Sequence, residues 1–444
     1  QLLFSLNLTI YKLFSESSIF FITYSIYIHI SPFSEWPILP LNSTTLMVCL
    51  CLDMRSDSSI ITGSIVFTVA ESPLKARAVL ISVQGQGRTH WTVSERHTNT
   101  QSQTTHRTVT YSATCPYAEG EAIVWTPSQG GSSGLIDVGI HKFPFKFLLP
   151  GNCAPSFEGT HGYIRYFCKA KIDRPWKFDH TTKQVFTVVP TFDLNLLPNA
   201  SLPVQSTQSK DTGFFFFKSG NIKLTARLHK GGFVPGESIS LHTHIHNHSS
   251  KSINKIDVKL VEVSRYTAYR NGQTVTEGCI VSRSSQQRVH KRNVTQIEER
   301  LDIEKGSDLD LPLLIPIPPV APTFNLCSII TVEYYLKIKA TTSGAIGSKV
   351  STEIPVLIGT IPIRYHAPIQ QSPSPWQTPY PDLPQGMPTP DSSLPINDFG
   401  DAPPSYEECV FGAGTIKDED DNKGFAPRYV FYPNINPSAP PLDK

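Results

Sequence analysis

The chain has 444 residues, 39% of them hydrophobic and 10% aromatic, which is enough length and apolar content for two or three domains with real cores. A mean hydropathy of −0.15 excludes a polytopic membrane protein and a wholly disordered chain alike. The formal net charge of +2 argues against nucleic acid as the main partner, because phosphate binding needs a strong basic surplus.

In chain order, the first segment is the least regular. Ser18 to Ile30 is apolar but short, with Lys12 and Glu16 ahead of it and His29 inside it, so a spanning helix of about 20 apolar residues does not fit. A signal peptide fits only loosely, since no basic region precedes the apolar run. Residues 1–57 are read as an atypical segment or a gene-model artefact. Sequons at Asn7, Asn42, Asn199, Asn247 and Asn293 would matter only in a secreted protein.

From Ser58 to Val189 the chain alternates short runs rich in Val, Ile, Thr and aromatics with Gly, Pro and Ser clusters, the period-two grammar of strands. Strands are expected at Gly63–Val69, Ala78–Gln84, Thr89–Val93, Lys142–Leu148, Tyr163–Ile172 and Gln184–Val189. The same grammar returns at Asn221–Leu228, Ser238–Asn247, Ile253–Arg265, Gln296–Ile303, Leu311–Ile317, Ile329–Ala340 and Glu353–Ile358. The halves repeat each other: Phe143 to Pro150 answers Leu311 to Pro318, and Tyr163 to Ile172 answers Ile330 to Lys339. The expected fold class is all-β, two sandwiches at residues 58–190 and 212–362, joined by a Pro/Ser/Asn linker at 191–211.

The run Ser156-Phe-Glu-Gly-Thr-His-Gly-Tyr-Ile-Arg-Tyr-Phe-Cys-Lys-Ala-Lys-Ile-Asp-Arg-Pro-Trp-Lys-Phe-Asp179 resembles the N-domain of the arrestin domain-containing proteins, the α-arrestins. Gly232-Phe-Val-Pro-Gly-Glu-Ser238 resembles the opening of their C-domain. The resemblance implies two arrestin-like, immunoglobulin-like sandwiches over roughly residues 58–362. One departure concerns the first strand and its Pro-Gly turn, the counterpart of Pro235-Gly236: unrelated sequence precedes Ile60. The first strand is therefore read as missing or replaced, which would leave a bare edge on the first sandwich.

Residues 363–444 differ in kind: 16 of the 37 Pro fall there, with 5 Lys+Arg against 11 Asp+Glu for a net of −6. Such a stretch reads as a disordered acidic tail. It contains Pro403-Pro404-Ser405-Tyr406, the PPxY pattern of WW-domain ligands, in which a polyproline II pair stacks in an aromatic groove and the Tyr enters a second pocket. Pro437-Ser438-Ala439-Pro440 matches the ligand pattern of the ESCRT-I UEV domain. Tyr380-Pro-Asp-Leu383 is a weaker match to a Y-P-x-L motif and lacks the preceding Leu.

Other sites look chemical on first sight. The strand Leu241 to His248 puts His242, His244, His246 and His248 on one face, where adjacent imidazoles could share a metal. Because Leu241, Thr243, Ile245 and Asn247 make the opposite face the buried one, the favoured reading is a solvated His stripe with no metal. The eight Cys include no Cys-x-x-Cys pair, so neither a disulfide scaffold nor a structural zinc site is expected. HExxH, Walker A and GxSxG motifs are missing too, so the expectation is a binding protein with no enzymatic activity, cofactor or small-molecule substrate.

In Tyr163 to Ile172 the residues Ile164, Tyr166, Cys168, Ala170 and Ile172 alternate with Arg165, Phe167, Lys169 and Lys171. One face is core, with Cys168 packed rather than reactive. The other is basic and could receive acidic cargo tails or anionic headgroups, as the resemblance suggests. The resemblance implies a cytoplasmic adaptor, recruited to plasma membrane and endosomes, that links membrane-protein cargo such as receptors to the WW domains of HECT-type ubiquitin ligases for endocytosis. A retromer-like or classical arrestin scaffold and a secreted or membrane-tethered sandwich are the alternatives.

Overall fold

The computed structural model describes residues 26–29, 45–55, 58–98, 104–127, 133–214, 217–276, 285–343, 349–364 and 425–433. The first half carries β1 (Ile26–His29), β2 (Thr45–Arg55), β3 (Ser58–Val69), β4 (Leu74–Ala76), β5 (Ala78–Thr98), β6 (Thr104–Trp125), β7 (Gly134–Ile136), β8 (Gly139–Leu148), β9 (Phe157–Gly159), β10 (Gly162–Asp173) and β11 (His180–Pro190). The second carries β12 (Val204–Phe214), β13 (Phe217–Leu228), β14 (Gly232–Phe233), β15 (Ser238–Asn247), β16 (Ile253–Arg270), β17 (Ser285–Ile303), β18 (Ser307–Pro316), β19 (Ile330–Thr342) and β20 (Lys349–Ile358).

In each half a larger sheet packs on a smaller one. The path β1-β11-β10-β5-β6 faces β2-β3-β8, and the path β17-β16-β19-β20-β14 faces β12-β13-β15-β18. The alternation read from sequence produces these layers: Ile61, Ile65, Phe67 and Val69 of β3 are buried beneath Ile81, Val83, Cys168 and Ala170. The repeat also holds in space. β10 lies between β11 and β5 as β19 lies between β16 and β20, while β8 and β18 each end a smaller sheet.

The large sheets run into one another. β6 pairs with β16 at Ser112–Tyr269 and Tyr111–Arg270, and Val275 donates its amide to Thr114 O at 2.8 Å. Behind this junction the Thr89 hydroxyl donates to Thr267 O at 2.7 Å. Phe157 meets Phe324 edge-on with centroids 5.8 Å apart. Burying aromatic and paired polar groups from both halves makes the junction a packed interface rather than a hinge of loose chain.

Two expectations are corrected. The edge of the first sandwich is not bare, because β2 runs antiparallel to β3 along its whole length, from Thr45–Thr68 to Arg55–Ser58. The segment before Ile60 thus supplies a replacement strand where the family turn is missing. The linker is also shorter than 191–211: β12 begins at Val204, and Leu194 and Ala200, in 3₁₀ turns at Leu194–Leu196 and Pro198–Ala200, are buried against Val234. Apolar residues inside a Pro/Asn-rich stretch pin it to the second sandwich.

Candidate functional site

The basic face of β10 divides in two. At its outer end Lys169 is exposed and stands opposite Lys183 of β11, whose ammonium lies 3.9 Å from the Phe167 ring centroid. Lys171 pairs with Asp179 at 2.9 Å. Arg165 is different and corrects the expected face: it is only 4% exposed. Its Nε donates to Glu158 Oε1 at 2.6 Å, its Nη2 donates to Oε2 at 3.0 Å, and its guanidinium lies over the Tyr163 ring. A bidentate pair of this kind neutralises the charge inside the protein, so Arg165 cannot meet cargo or lipid. Cys168, on the inward face, is fully buried, and burial pushes its thiol up to about 12.

Beyond Lys171 the β10–β11 connection forms a feature the alternation did not signal. Pro175 fixes the entry to the turn and Trp176 takes a φ of 60°, a left-handed conformation that is costly for a bulky aromatic. Trp176 and Phe178 are almost completely solvent-exposed, with Lys177 exposed between them. The turn is held from its base. Asp179 accepts from the Arg174 amide at 3.0 Å and pairs with Lys171, and these contacts, the amide bond first, hold its carboxyl below the usual range. Asp173 pairs with Arg77. Both acids are thereby engaged, while Lys169 and Lys177 are exposed and the two aromatic rings are bare to solvent. The only signal in the sequence was a Trp and a Phe placed in a short polar connection.

The His strand alternates as read. Leu241, Thr243, Ile245 and Asn247 are buried, His242 and His248 exposed, and His244 and His246 half-buried. The neighbouring β18 supplies carboxylates that periodicity alone could not place: His244 Nδ1 donates to Asp310 Oδ1 at 2.9 Å and His246 Nδ1 pairs with Asp308. One ligand atom each from His244, His246 and Asp308 lie within 4.8 Å of one another, so the group could hold a divalent ion, although its Nδ1 atoms already face carboxylates. Asn247, a sequon residue, is fully buried and donates to Lys251 O, Ile303 O and Glu304 O. A glycan on that amide is incompatible with the fold.

Pro403, Pro404 and Tyr406, the Pro437-Ser438-Ala439-Pro440 motif and Tyr380 to Leu383 lie outside the described residues. One part of the tail does not. Residues 425–433 lie across the junction of the sandwiches, which corrects the reading of 363–444 as a disordered tail for these nine positions. Pro427 and Tyr429 are buried. The Tyr429 hydroxyl donates to Ser156 O at 2.9 Å, and the Arg428 amide donates to Thr187 Oγ1 at 3.2 Å, both in the first sandwich. Tyr432 reaches the second, its amide donating to Pro235 O at 3.1 Å and its hydroxyl to Thr360 O at 2.7 Å.

The second-sandwich wall of this groove is the Val234-Pro235-Gly236-Glu237 turn. Pro235 presets the first central position, Gly236 takes a φ of 97°, and the Glu237 amide closes on Val234 O at 3.1 Å. The Glu237 carboxylate is buried and accepts from Lys230 Nζ at 2.8 Å and from the Val234 amide at 2.9 Å. A Cβ on Gly236 would come within 2.2 Å of Tyr432 O, so glycine serves both the turn and the close passage of the tail.

No helix among the described residues is long and apolar enough to cross a membrane. Comparison with known proteins gives a consistent result. The family model of the arrestin (or S-antigen) N-terminal domain matches residues 55–195, and that of the arrestin C-terminal domain matches 218–363. Arrestin domain-containing protein 17 of Caenorhabditis elegans is 28% identical over 81% of this chain and 77% of its own length. Arrestin domain-containing protein 4 of Homo sapiens is 29% identical over 69% of this chain and 68% of its own. Arrestin domain-containing protein 1 of Homo sapiens is 29% identical over 54% and 51%, respectively.

Proposed function

Since the chain belongs to the arrestin family, among the arrestin domain-containing proteins or α-arrestins, we propose that it is a non-enzymatic cytoplasmic trafficking adaptor. In this reading the sandwiches engage membrane-protein cargo such as receptors, and Pro403, Pro404 and Tyr406 recruit the WW domains of a HECT-type ubiquitin ligase. The observation that carries it is the joining, in one chain, of an arrestin body to a PPxY ligand in a Pro-rich acidic tail. A ligase tethered through that tail searches nearby lysines at raised effective concentration, so cargo is ubiquitinated and enters endocytic and endosomal routes. Pro437 to Pro440 would add an ESCRT-I contact on the same path.

The surface assigned to cargo or to the membrane beneath it is the end of the first sandwich formed by Lys169, Lys171 and the Trp176–Phe178 tip. Two exposed aromatics at a strained turn, with the exposed Lys177 between them in the chain, suit an apolar contact framed by anionic groups. Arg165 takes no part in it.

The experiment is a comparison of reporter-receptor ubiquitination in cells expressing the wild-type chain or Tyr406→Ala. Loss of the modification with the variant still at the membrane supports the adaptor reading. Equal ubiquitination with both chains overturns ligase recruitment through PPxY and leaves a scaffold of the retromer-like or classical arrestin kind.

A further inference from the structure

We infer that the groove between the two sandwiches is a peptide-binding site, selective for an extended segment of the form Pro-x-Tyr-x-x-Tyr, and that the chain fills it in cis with Pro427 to Tyr432. The two tyrosines are separated by Val430 and Phe431, and each meets a different sandwich. Tyr429 is 1% exposed and belongs to the main core cluster, where Val430 also packs. Tyr432 packs with Phe192 against Leu194, Ala200 and Val234.

The groove selects phenols, not simply aromatic rings. Both hydroxyls donate to backbone carbonyls of residues that are themselves buried, Ser156 and Thr360. A phenylalanine in either place would leave such a carbonyl short of a partner, which is costly away from water. The carbonyls are fixed by other bonds. Ser156 exchanges bonds with Val188, its amide donating to Val188 O at 2.7 Å and its hydroxyl accepting from the Val188 amide at 2.9 Å. Thr360 accepts the Phe192 amide on its hydroxyl at 2.7 Å and donates its own amide to Phe192 O at 3.0 Å. The acceptors are therefore preorganised by the body and do not depend on the tail for their position.

Main-chain contacts set the direction of the ligand. The Arg428 amide meets Thr187 Oγ1 and the Tyr432 amide meets Pro235 O, one on each sandwich, so an occupant bridges the two and holds their relative angle. The groove is filled by a segment of the same chain at high effective concentration, and an outside peptide sees only the fraction of molecules in which that segment has left.

The test uses the full chain with Tyr429→Ala and Tyr432→Ala together, which removes the cis ligand and leaves every groove residue intact. The probe is a fluorescent nonapeptide of sequence Phe425 to Pro433, titrated by anisotropy. The double variant is expected to bind it at least about tenfold more tightly than wild type, whose groove is filled. A peptide with both tyrosines replaced by phenylalanine is expected to bind about thirtyfold more weakly, the loss corresponding to two buried hydrogen bonds, one from each hydroxyl. Absence of saturable binding to the folded double variant, or equal affinity for both proteins, overturns the inference. Should the double variant fail to fold, hydrogen exchange of the wild-type chain decides. Arg428 and Tyr432 amides slowed at least about tenfold relative to an unstructured peptide support the site, and exchange at the unstructured rate overturns it.

Discussion

Arg165 and Glu158 form a bidentate ion pair inside the first sandwich, with side chains only 4% and 6% exposed. A charge expected on a cargo-facing strand surface is thereby placed in the frame of the domain. Removing one partner leaves the other buried and uncompensated, a change that costs about 3–5 kcal/mol in comparable sites. Arg165→Ala and Glu158→Ala should each lower the denaturant midpoint strongly and by similar amounts. A loss below about 1 kcal/mol, the range of exposed pairs, would show that the pair is open to water.

The outer lysines should behave in the opposite way. Lys169→Glu with Lys171→Glu is expected to leave the circular dichroism native, since the loss of the exposed Lys171–Asp179 pair costs no more than about 1 kcal/mol, while binding to acidic cargo-tail peptides falls. Trp176→Ala should weaken cargo capture without loss of stability, because that side chain touches little in the free protein. Unaltered peptide capture by all three changes would reduce this end of the sandwich to a solvated surface.

The buried thiols provide a third check. Cys153 and Cys168 are fully buried, and burial pushes both thiols up to about 12, so the reactive thiolate is scarce at neutral pH. Mass mapping after brief alkylation at pH 8 should find both unmodified in the native protein and both modified in denaturant. Rapid native labelling of Cys168 would contradict the packing of β10 on β3.

Tyr429 makes the tail part of the stability of the body. Tyr429→Phe removes one buried hydrogen bond, worth about 1 kcal/mol, and Tyr429→Ala also empties an aromatic site, for about 3 kcal/mol or more. The order of melting temperatures should be wild type, then Phe, then Ala. Identical melting of all three would mean that residues 425–433 contribute nothing to the fold.

The sequence disclosed the strands whose two faces differ. β3, β8, β15, β19, β20 and the end of β10 from Lys169 onward bury one face and leave the other more open to solvent, so their period-two pattern is plain. β6 was hidden because Thr104 to Trp125 is dense in Thr and interrupted by Pro116. β12 and much of β17 were hidden because edge strands are polar on both faces, as Gln205 to Asp211 and Gln286 to Asn293 are. β5 was read as two strands because Gly85 and Gly87 interrupt it, where the chain shifts register between Gly85 and Gln86 without ending. Arg165 misled for another reason: alternation identifies which residues leave the core of a sheet but not what covers them next. The return of Tyr429 and Tyr432 to the body was illegible because nine residues in a Pro-rich acidic stretch carry no periodicity, and their partners Ser156, Thr187, Pro235 and Thr360 are distant in the chain.

The central claim is that Pro403, Pro404 and Tyr406 connect an arrestin body to a WW-domain ligase. The most direct measurement is a calorimetric titration of an isolated WW domain from a HECT-type ligase into the full chain, into Tyr406→Ala and into Ser405→Ala. The account predicts saturable one-site binding to wild type and to Ser405→Ala, and loss of binding to Tyr406→Ala, because Tyr406 fills a pocket while Ser405 occupies the variable position. Equal affinity for all three chains would contradict it.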